Sequence, residues 1–379
     1  MTSPVCARRR RSGPVYLRFV DDGLLDTAAE LGCESLHLAA DPVSGLRAMV
    51  AVHSTVLGPS LGGTRFRPYP DEAAAALDVC RLARGMTYKH AACGNDQGGG
   101  KAVILGDPAT LRSDALLAAY GRFVDQLGGI YLTAEDVGTT QADMDRLRSI
   151  TPYVTGTSES IGGSGDPSPA TAWGVFCALA AVGERAWGEG DLAGRHVVVL
   201  GVGKVGSALA RHLHGAGARL TLADVRADAV SSLAAELGAE VVSPDDALGV
   251  DCDVLAPCAL GAVLSAATIP RLGCRAVCGA ANNQLAEDDD AERLAEAGVV
   301  YAPDYVVNAG GVINIADETA ASGYDRERAW RRVEGIAETL RKVFDLADAH
   351  GTTTAAAADR LAEDRLAAAG GQNRRGPTT

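Results

Sequence analysis

The stretch that most constrains this chain is an apolar pentapeptide, His196-Val197-Val198-Val199-Leu200, running straight into Gly201-Val202-Gly203-Lys204-Val205-Gly206. A short apolar run bounded by glycine reads as a buried strand. A G-x-G-x-x-G alone says little, because glycines recur in many turns. Here it closes a strand, opens a helix to about His214, and is followed by a second strand, Arg219 to Ala223, ending at Asp224, eighteen residues after Gly206. That context is the fingerprint of a parallel, doubly wound sheet holding a dinucleotide. Gly201 serves the tight turn, Gly203 the close approach of pyrophosphate, and Gly206 the packing of helix on strand. Lys204 and Val205 open the helix whose N-terminus takes the phosphates. Asp224 is placed for the adenine ribose hydroxyls and repels a 2′-phosphate, so NAD is expected over NADP, a preference that Arg226 slightly weakens.

The first half has a different rhythm. Ser35–Ala40 and Leu46–His53 read as two strands of a hairpin turned by Asp41-Pro42-Val43-Ser44-Gly45. Gly58 to Arg65 reads as a rigid glycine-rich loop, and Asp71 starts a helix to about Ala92 with Lys89 at its C-terminal end, where the dipole favours a cation. Gly98-Gly99-Gly100 reads as a bend without β-carbons, and Lys101 opens a buried strand, Ala102–Leu105. An ammonium there is costly unless paired or used, which leaves a snorkelling surface lysine or a catalytic one. Helices over about 110–127 and 139–149, strands at 130–132 and 153–155, and a loop at 133–138 complete this half. The Gly- and Ser-rich stretch 156–168 is the expected domain crossing. The expected fold is α/β with two domains flanking a catalytic cleft: residues 1–155 for substrate binding and oligomerisation, and 156–349 as a Rossmann-type NAD-binding domain. The C-terminal helix, about 350–379, is expected to pack back on the first domain.

At 379 residues the chain exceeds what a single core usually holds. A net charge of −13 argues against nucleic acid or an anionic membrane surface as partner. No run has the apolar length to span a bilayer, and Arg8-Arg9-Arg10-Arg11, with no apolar stretch after it, reads as a solvated tail. Nine cysteines, an odd number, fit reduced thiols in a cytoplasm. Their spacing completes no zinc site, so no metal is expected.

Several further stretches carry a resemblance: GPSLGGTRF (58–66), RLARGMTYKHAA (81–92), GGGKA (98–102), TAEDVGTT (133–140), APCALG (256–261), GAANNQLA (279–286) and YAPDYVVNAGGVIN (301–314), together with GVGKVG (201–206). The chain resembles the Glu/Leu/Phe/Val amino-acid dehydrogenase family, and within it the branched-chain members, with a lean towards valine. The resemblance implies that Lys89 grips the substrate α-carboxylate, that Lys101 is the catalytic lysine and that Asp136 exchanges protons beside it. It sets Gly62 and Gly63 against the substrate, Asn283 on its carboxylate and beside the cofactor, and Thr171 and Asn308 near the nicotinamide or substrate. Cys258 and Ala259 would lie beside the cofactor, Cys258 as a packing thiol since no histidine accompanies it.

The chemistry of such a reaction agrees. After hydride leaves Cα, water must attack an imine, and a buried lysine beside a second cation is a base whose pKa both effects push down. Glutamate-specific relatives carry a lysine where this chain has Leu61; with Ala134, Val312 and Ile315 also apolar, an aliphatic side chain is implied. The implied partners are an amino acid, its 2-oxo acid, ammonia and further copies of the chain in a homo-oligomer. A phenylalanine- or tryptophan-type dehydrogenase and a non-catalytic NAD-binding paralogue are the alternatives. His90 stands where relatives commonly have asparagine, and reads as a supporting residue.

Overall fold

The computed structural model describes residues 23–259 and 261–373; the Arg8–Arg11 run lies outside them. Two sheets organise the chain. The first has the order β1-β2-β4-β3-β5, from β1 (Ser35–Asp41), β2 (Leu46–Ser54), β3 (Ser60–Arg67), β4 (Gly98–Leu105) and β5 (Tyr131–Glu135). β1, β2 and β4 pair antiparallel, whereas β3 runs parallel to both β4 and β5. The second sheet is parallel throughout and has the order β11-β10-β9-β6-β7-β8. Its strands are β6 (His196–Leu200), β7 (Arg219–Ala223), β8 (Glu240–Val241), β9 (Cys252–Pro257), β10 (Cys274–Val277) and β11 (Val300–Tyr301). This is the doubly wound arrangement that the alternation of strand and helix predicts.

Four expectations in the first half are corrected. Gly98-Gly99-Gly100 is no bend: it is the first part of β4, buried throughout. A Cβ on Gly98 would fall 1.9 Å from the Ser54 carbonyl oxygen, and one on Gly99 2.1 Å from Thr87 Oγ1. The strand runs so close to β2 and to the Glu72–Ala92 helix that no side chain fits, which is why glycine occupies a site its strand propensity disfavours. The expected loop over Gly58–Arg65 is likewise largely β3, a central strand. Thr133 to Glu135 belong to β5 rather than to a loop, and the strand expected at 153–155 shrinks to a single bridge between Thr133 and Val154.

The Glu72–Ala92 helix is capped by Asp71, whose carboxylate accepts from Ala74 N. Its last residues, Ala91 and Ala92, enter the core that Val175, Val197, Leu209 and Leu340 form around the second sheet. The Thr354–Asn373 helix then returns to it: Tyr88 Oη donates to Glu363, and Arg365 Nη1 donates to the carbonyls of His90 and Asn95. The Gly- and Ser-rich stretch 156–168 is held by Glu318 Oε1, which accepts from Gly156 N at 2.9 Å and Ser164 N at 2.8 Å. Among the described residues no helix is long and apolar enough to cross a membrane, and no group of three or more His, Cys, Asp or Glu side chains is arranged to hold a metal ion.

Candidate active site

Lys101 lies inside β4, 8% exposed, and its Nζ is 2.9 Å from Asp136 Oδ2. Asp136 follows β5 directly. Its backbone N–H donates to Thr139 Oγ1, and the next helix, Gln141–Arg148, is capped by Thr140 in a capping box with Asp143. The capping duty falls on Thr140, so the Asp136 carboxylate is left for the cations around it. Arg65 Nε donates to the same Oδ2 at 3.3 Å, and Arg65 is itself anchored on Asp78. Burial alone would raise Asp136; Lys101 first and Arg65 next outweigh it and hold the group at about 2.

Lys89 arrives from the end of its helix, and its Nζ donates to Asn282 Oδ1 at 3.0 Å. Burial, against the opposing pull of Asp304 and with Lys101 adding repulsion, brings this ammonium down to about 8. Thus Asn282, rather than the neighbouring Asn283, meets Lys89. Asn283 is one of two non-glycine residues with positive φ among those described (+52°), and its carbonyl accepts from Ala262 N. Asn308 Nδ2 donates to Asn282 Oδ1 and to the Ala280 carbonyl, while Asn308 Oδ1 is buried without a partner. A buried acceptor left open marks a place for a ligand's donor.

The two glycines before Thr64 are required by close approach. A Cβ on Gly62 would sit 1.9 Å from the Gly100 carbonyl oxygen, and one on Gly63 2.8 Å from Asp136 Cβ. Leu61, Ala134 and Ile315 form one small apolar cluster with Ala316 and the half-buried Leu132. Ala316 and Leu132 were not predicted, although Leu132 sits two residues before Ala134 on one strand face and Ala316 adjoins Ile315. Val312 is half-buried, and its carbonyl accepts weakly from Asn95 Nδ2 at 3.5 Å.

Across the cleft, Gly201 adopts φ +104°, and a Cβ there would lie 2.6 Å from Ala259 Cβ. A Cβ on Gly206 would lie 1.9 Å from the Gly201 carbonyl oxygen, whereas one on Gly203 would meet nothing within 4 Å. The turn is therefore tight behind and open in front, where the Lys204–Gly215 helix begins without a side-chain cap. The site fits a dinucleotide's phosphates. Lys204 Nζ does not reach over the turn: it pairs with Asp166 Oδ2 at 2.9 Å. Val205 is half-buried beside the core of this half. Asp224 Oδ2 accepts from Val202 N at 2.7 Å and Oδ1 from Arg226 N at 2.9 Å, and Arg226 Nε adds a contact of 3.2 Å. Burial raises Asp224, but the bonds from Arg226 and Val202 prevail and lower it. Thr171 Oγ1 donates to the Pro167 carbonyl in the first turn of the Ser168–Trp187 helix and packs under Gly311. Burial pushes the Cys258 thiol up to about 11, which leaves it protonated and a poor nucleophile. An open cleft of about 420 Å³ separates the halves, with Asp136 and Thr139 on one side and Asp166, Ser168 and Lys204 on the other.

Fold and site together define a two-domain, nicotinamide-dependent dehydrogenase. Residues 35–152 match the model for the Glu/Leu/Phe/Val dehydrogenase dimerisation domain, and 220–374 that for Glutamate/Leucine/Phenylalanine/Valine dehydrogenase. The chain is 50% identical over 334 residues to a leucine dehydrogenase of Bacillus cereus, covering 88% of this chain and 91% of that one. It is 49% identical over 341 residues to a valine dehydrogenase of Streptomyces coelicolor, covering 89% and 93%. Among solved structures, L-tryptophan dehydrogenase from Nostoc punctiforme superposes with a TM-score of 0.80 at 41% identity, covering 91% of this chain and 99% of that one. The chain belongs to the Glu/Leu/Phe/Val dehydrogenase family.

Proposed function

We propose that the protein catalyses the reversible, NAD-dependent oxidative deamination of branched-chain L-amino acids to 2-oxo acids and ammonia, favouring valine and also taking leucine and isoleucine. The observation that carries this reading is the Lys101–Asp136 pair, 2.9 Å apart, held by β4 and the end of β5, where β3 and β5 also bring Leu61 and Ala134 into one apolar cluster with Ile315 of the Gly310–Ala316 helix. Leu61 offers no cation to a second carboxylate, and burying an unpaired charge is costly. Ile315 shortens the space, although one methylene is worth only about 1–3 kcal/mol, so leucine leaks in. The relatives named for leucine and valine support the same class.

In this reading Lys89 holds the α-carboxylate, with Gly62 and Gly63 giving the backbone closeness the substrate needs and Asn282 and Asn283 bordering it. Thr171 and Asn308 would hold the nicotinamide, which would supply the acceptor for the hydride from Cα. Lys101 then takes the proton of the water that attacks the imine carbon. Asp136, ionised by the cations beside it, aligns Lys101, stabilises the positive imine, and exchanges protons with the departing amine once the closed cleft has excluded water. Val312 belongs to the substrate pocket with Leu61, Ala134 and Ile315, and Cys258 packs beside the cofactor. The ionised Asp224 favours the ribose hydroxyls of NAD over a 2′-phosphate.

We further propose a division near residue 155, with the C-terminal helix serving the first domain, a homo-oligomer built through that domain, and a cytoplasmic location. Initial rates of NADH formation with valine, leucine, phenylalanine, tryptophan and glutamate test the reading. Valine and its branched relatives should lead. Fastest turnover on glutamate or an aromatic substrate overturns the pocket assignment, and no turnover on any of them leaves an NAD-binding protein.

A further inference from the structure

His90 follows Lys89 and is fully buried. Its Nε2 lies 3.1 Å from the Leu61 carbonyl oxygen and its Nδ1 3.1 Å from Asn95 Nδ2. A carbonyl only accepts, so Nε2 carries the hydrogen and Nδ1 accepts from the Asn95 amide. The orientation of that amide is fixed from the other end, because Arg332 Nη2 donates to Asn95 Oδ1 at 2.5 Å. The result is a chain of donors with one direction, Arg332 to Asn95 to His90 to the Leu61 carbonyl. Burial, with Lys89 and Arg365 nearby, pushes the ring down to about 4, so it stays neutral and supplies no acid or base near neutral pH.

The Leu61 carbonyl matters because of where β3 lies. Leu61 pairs with Gly99 on one side and Leu132 on the other, and the next register pair towards β4 is Thr64 with Ala102. The intervening carbonyl of Gly62 is likewise taken by a side chain, Tyr131 Oη, at 2.7 Å. Towards β5 the strand is paired without a break, but where the β4 register is interrupted two side chains take the carbonyls of Leu61 and Gly62, at the point where the apolar cluster begins. Arg365 Nη1 further locks the carbonyls of His90 and Asn95 at 3.0 and 2.7 Å.

We propose that His90 is a specificity-determining positioning residue: its Nε2–H clamps the Leu61 carbonyl and so sets how far the Leu61 side chain intrudes into the substrate pocket. This rests on the reading above that Leu61 lines that pocket. Without the clamp, Leu61 recedes and the longer substrate gains.

The test compares wild type with His90→Ala, His90→Asn and His90→Gln, measuring kcat/KM for valine and for leucine, the pH profile, and NAD affinity. Asparagine keeps the partner of Asn95 but is too short for Leu61; glutamine reaches Leu61 with its amide nitrogen. Ala and Asn should move the leucine-to-valine ratio ~5–20-fold towards leucine, the scale of a methylene's discrimination. Gln should hold the wild-type ratio, and the pH profile and NAD affinity should stay put in all three. Should the alanine variant fail to fold, the asparagine and glutamine pair decides. An equal loss on both substrates, a glutamine variant that shifts as far as asparagine, or a displaced pH profile overturns the proposal. If wild type itself turns over neither substrate, the functional reading fails instead.

Discussion

Lys101→Met removes the amine while keeping an unbranched side chain of similar length inside β4. Two separate losses follow. For catalysis, an assigned general base is worth roughly 10²- to 10⁴-fold, so turnover with valine should fall by that factor. NAD affinity should not change, because Gly201–Gly206 stands across the cleft and takes nothing from Lys101. For stability, Asp136 loses its nearer cation but keeps Arg65 at 3.3 Å, so its carboxylate is weakened and not orphaned. Its fall from an ordinary 3.8 to about 2 corresponds to about 2 kcal/mol of linkage, shared between the two cations. The methionine variant should therefore lose about 1–2 kcal/mol near neutral pH. The sign of the pH dependence follows from the depressed value. This stabilisation is complete above the ordinary carboxylate range and is lost as pH falls through about 2, so the gap between wild type and variant narrows on acidification. Steady-state NADH formation, NAD titration by tryptophan fluorescence, and urea unfolding at several pH values measure the three parts. Turnover within tenfold of wild type, or lost NAD binding in a folded variant, refutes the chemistry assigned to Lys101.

Lys89→Met should raise KM for the amino acid by tenfold or more, about 1.4 kcal/mol or greater. It should also relieve a burial penalty: a lysine held at about 8 disfavours folding below that value and is relieved as pH rises towards its ordinary 10.5, so any rise in melting temperature should be largest below pH 8. Leu61→Ala, at a fully buried site, should cost about 2–5 kcal/mol in unfolding free energy and shift kcat/KM towards larger side chains. Asp224→Ala should lower the NAD-to-NADP ratio of kcat/KM by roughly tenfold or more, since a charge that repels the 2′-phosphate is gone; an unchanged ratio contradicts that role. Gly99→Ala should leave little folded protein in expression and melting assays, because its methyl group would lie 2.1 Å from Thr87 Oγ1 and 2.2 Å from Thr87 N.

The second half was readable because its signals are local. A strand, a glycine turn, a helix and an acid at a set spacing describe a βαβ unit without knowledge of anything distant. The first half was harder, since its glycines answer to neighbours far away in sequence. Gly62 is shaped by Gly100, and Gly98 by Ser54, contacts that no local pattern encodes. Read locally, these glycines suggest bends and loops; in the fold they are strands. The lysine and aspartate of the site could be named from the resemblance, and their pairing is a tertiary fact. Asn282 was overshadowed by its neighbour because two adjacent asparagines look alike until the backbone decides which side chain turns to Lys89. The clamp of His90 on Leu61 spans twenty-nine residues and ends on a backbone atom, a partner with no signature in sequence.

The side-chain-free start of β4 bears on how this site can vary. Thr87, two residues before Lys89, lies directly on Gly99, two residues before Lys101. The spacing between the two ammonium-bearing segments is thus set by the helix, through Thr87, against a strand position that carries no side chain to adjust it. A larger residue cannot widen that gap without breaking it, and no smaller one exists. The distance from Lys89 to Lys101 behaves as a fixed dimension of the scaffold, so in the proposed reading divergence among substrates is written elsewhere, on the side chains that meet the substrate's far end.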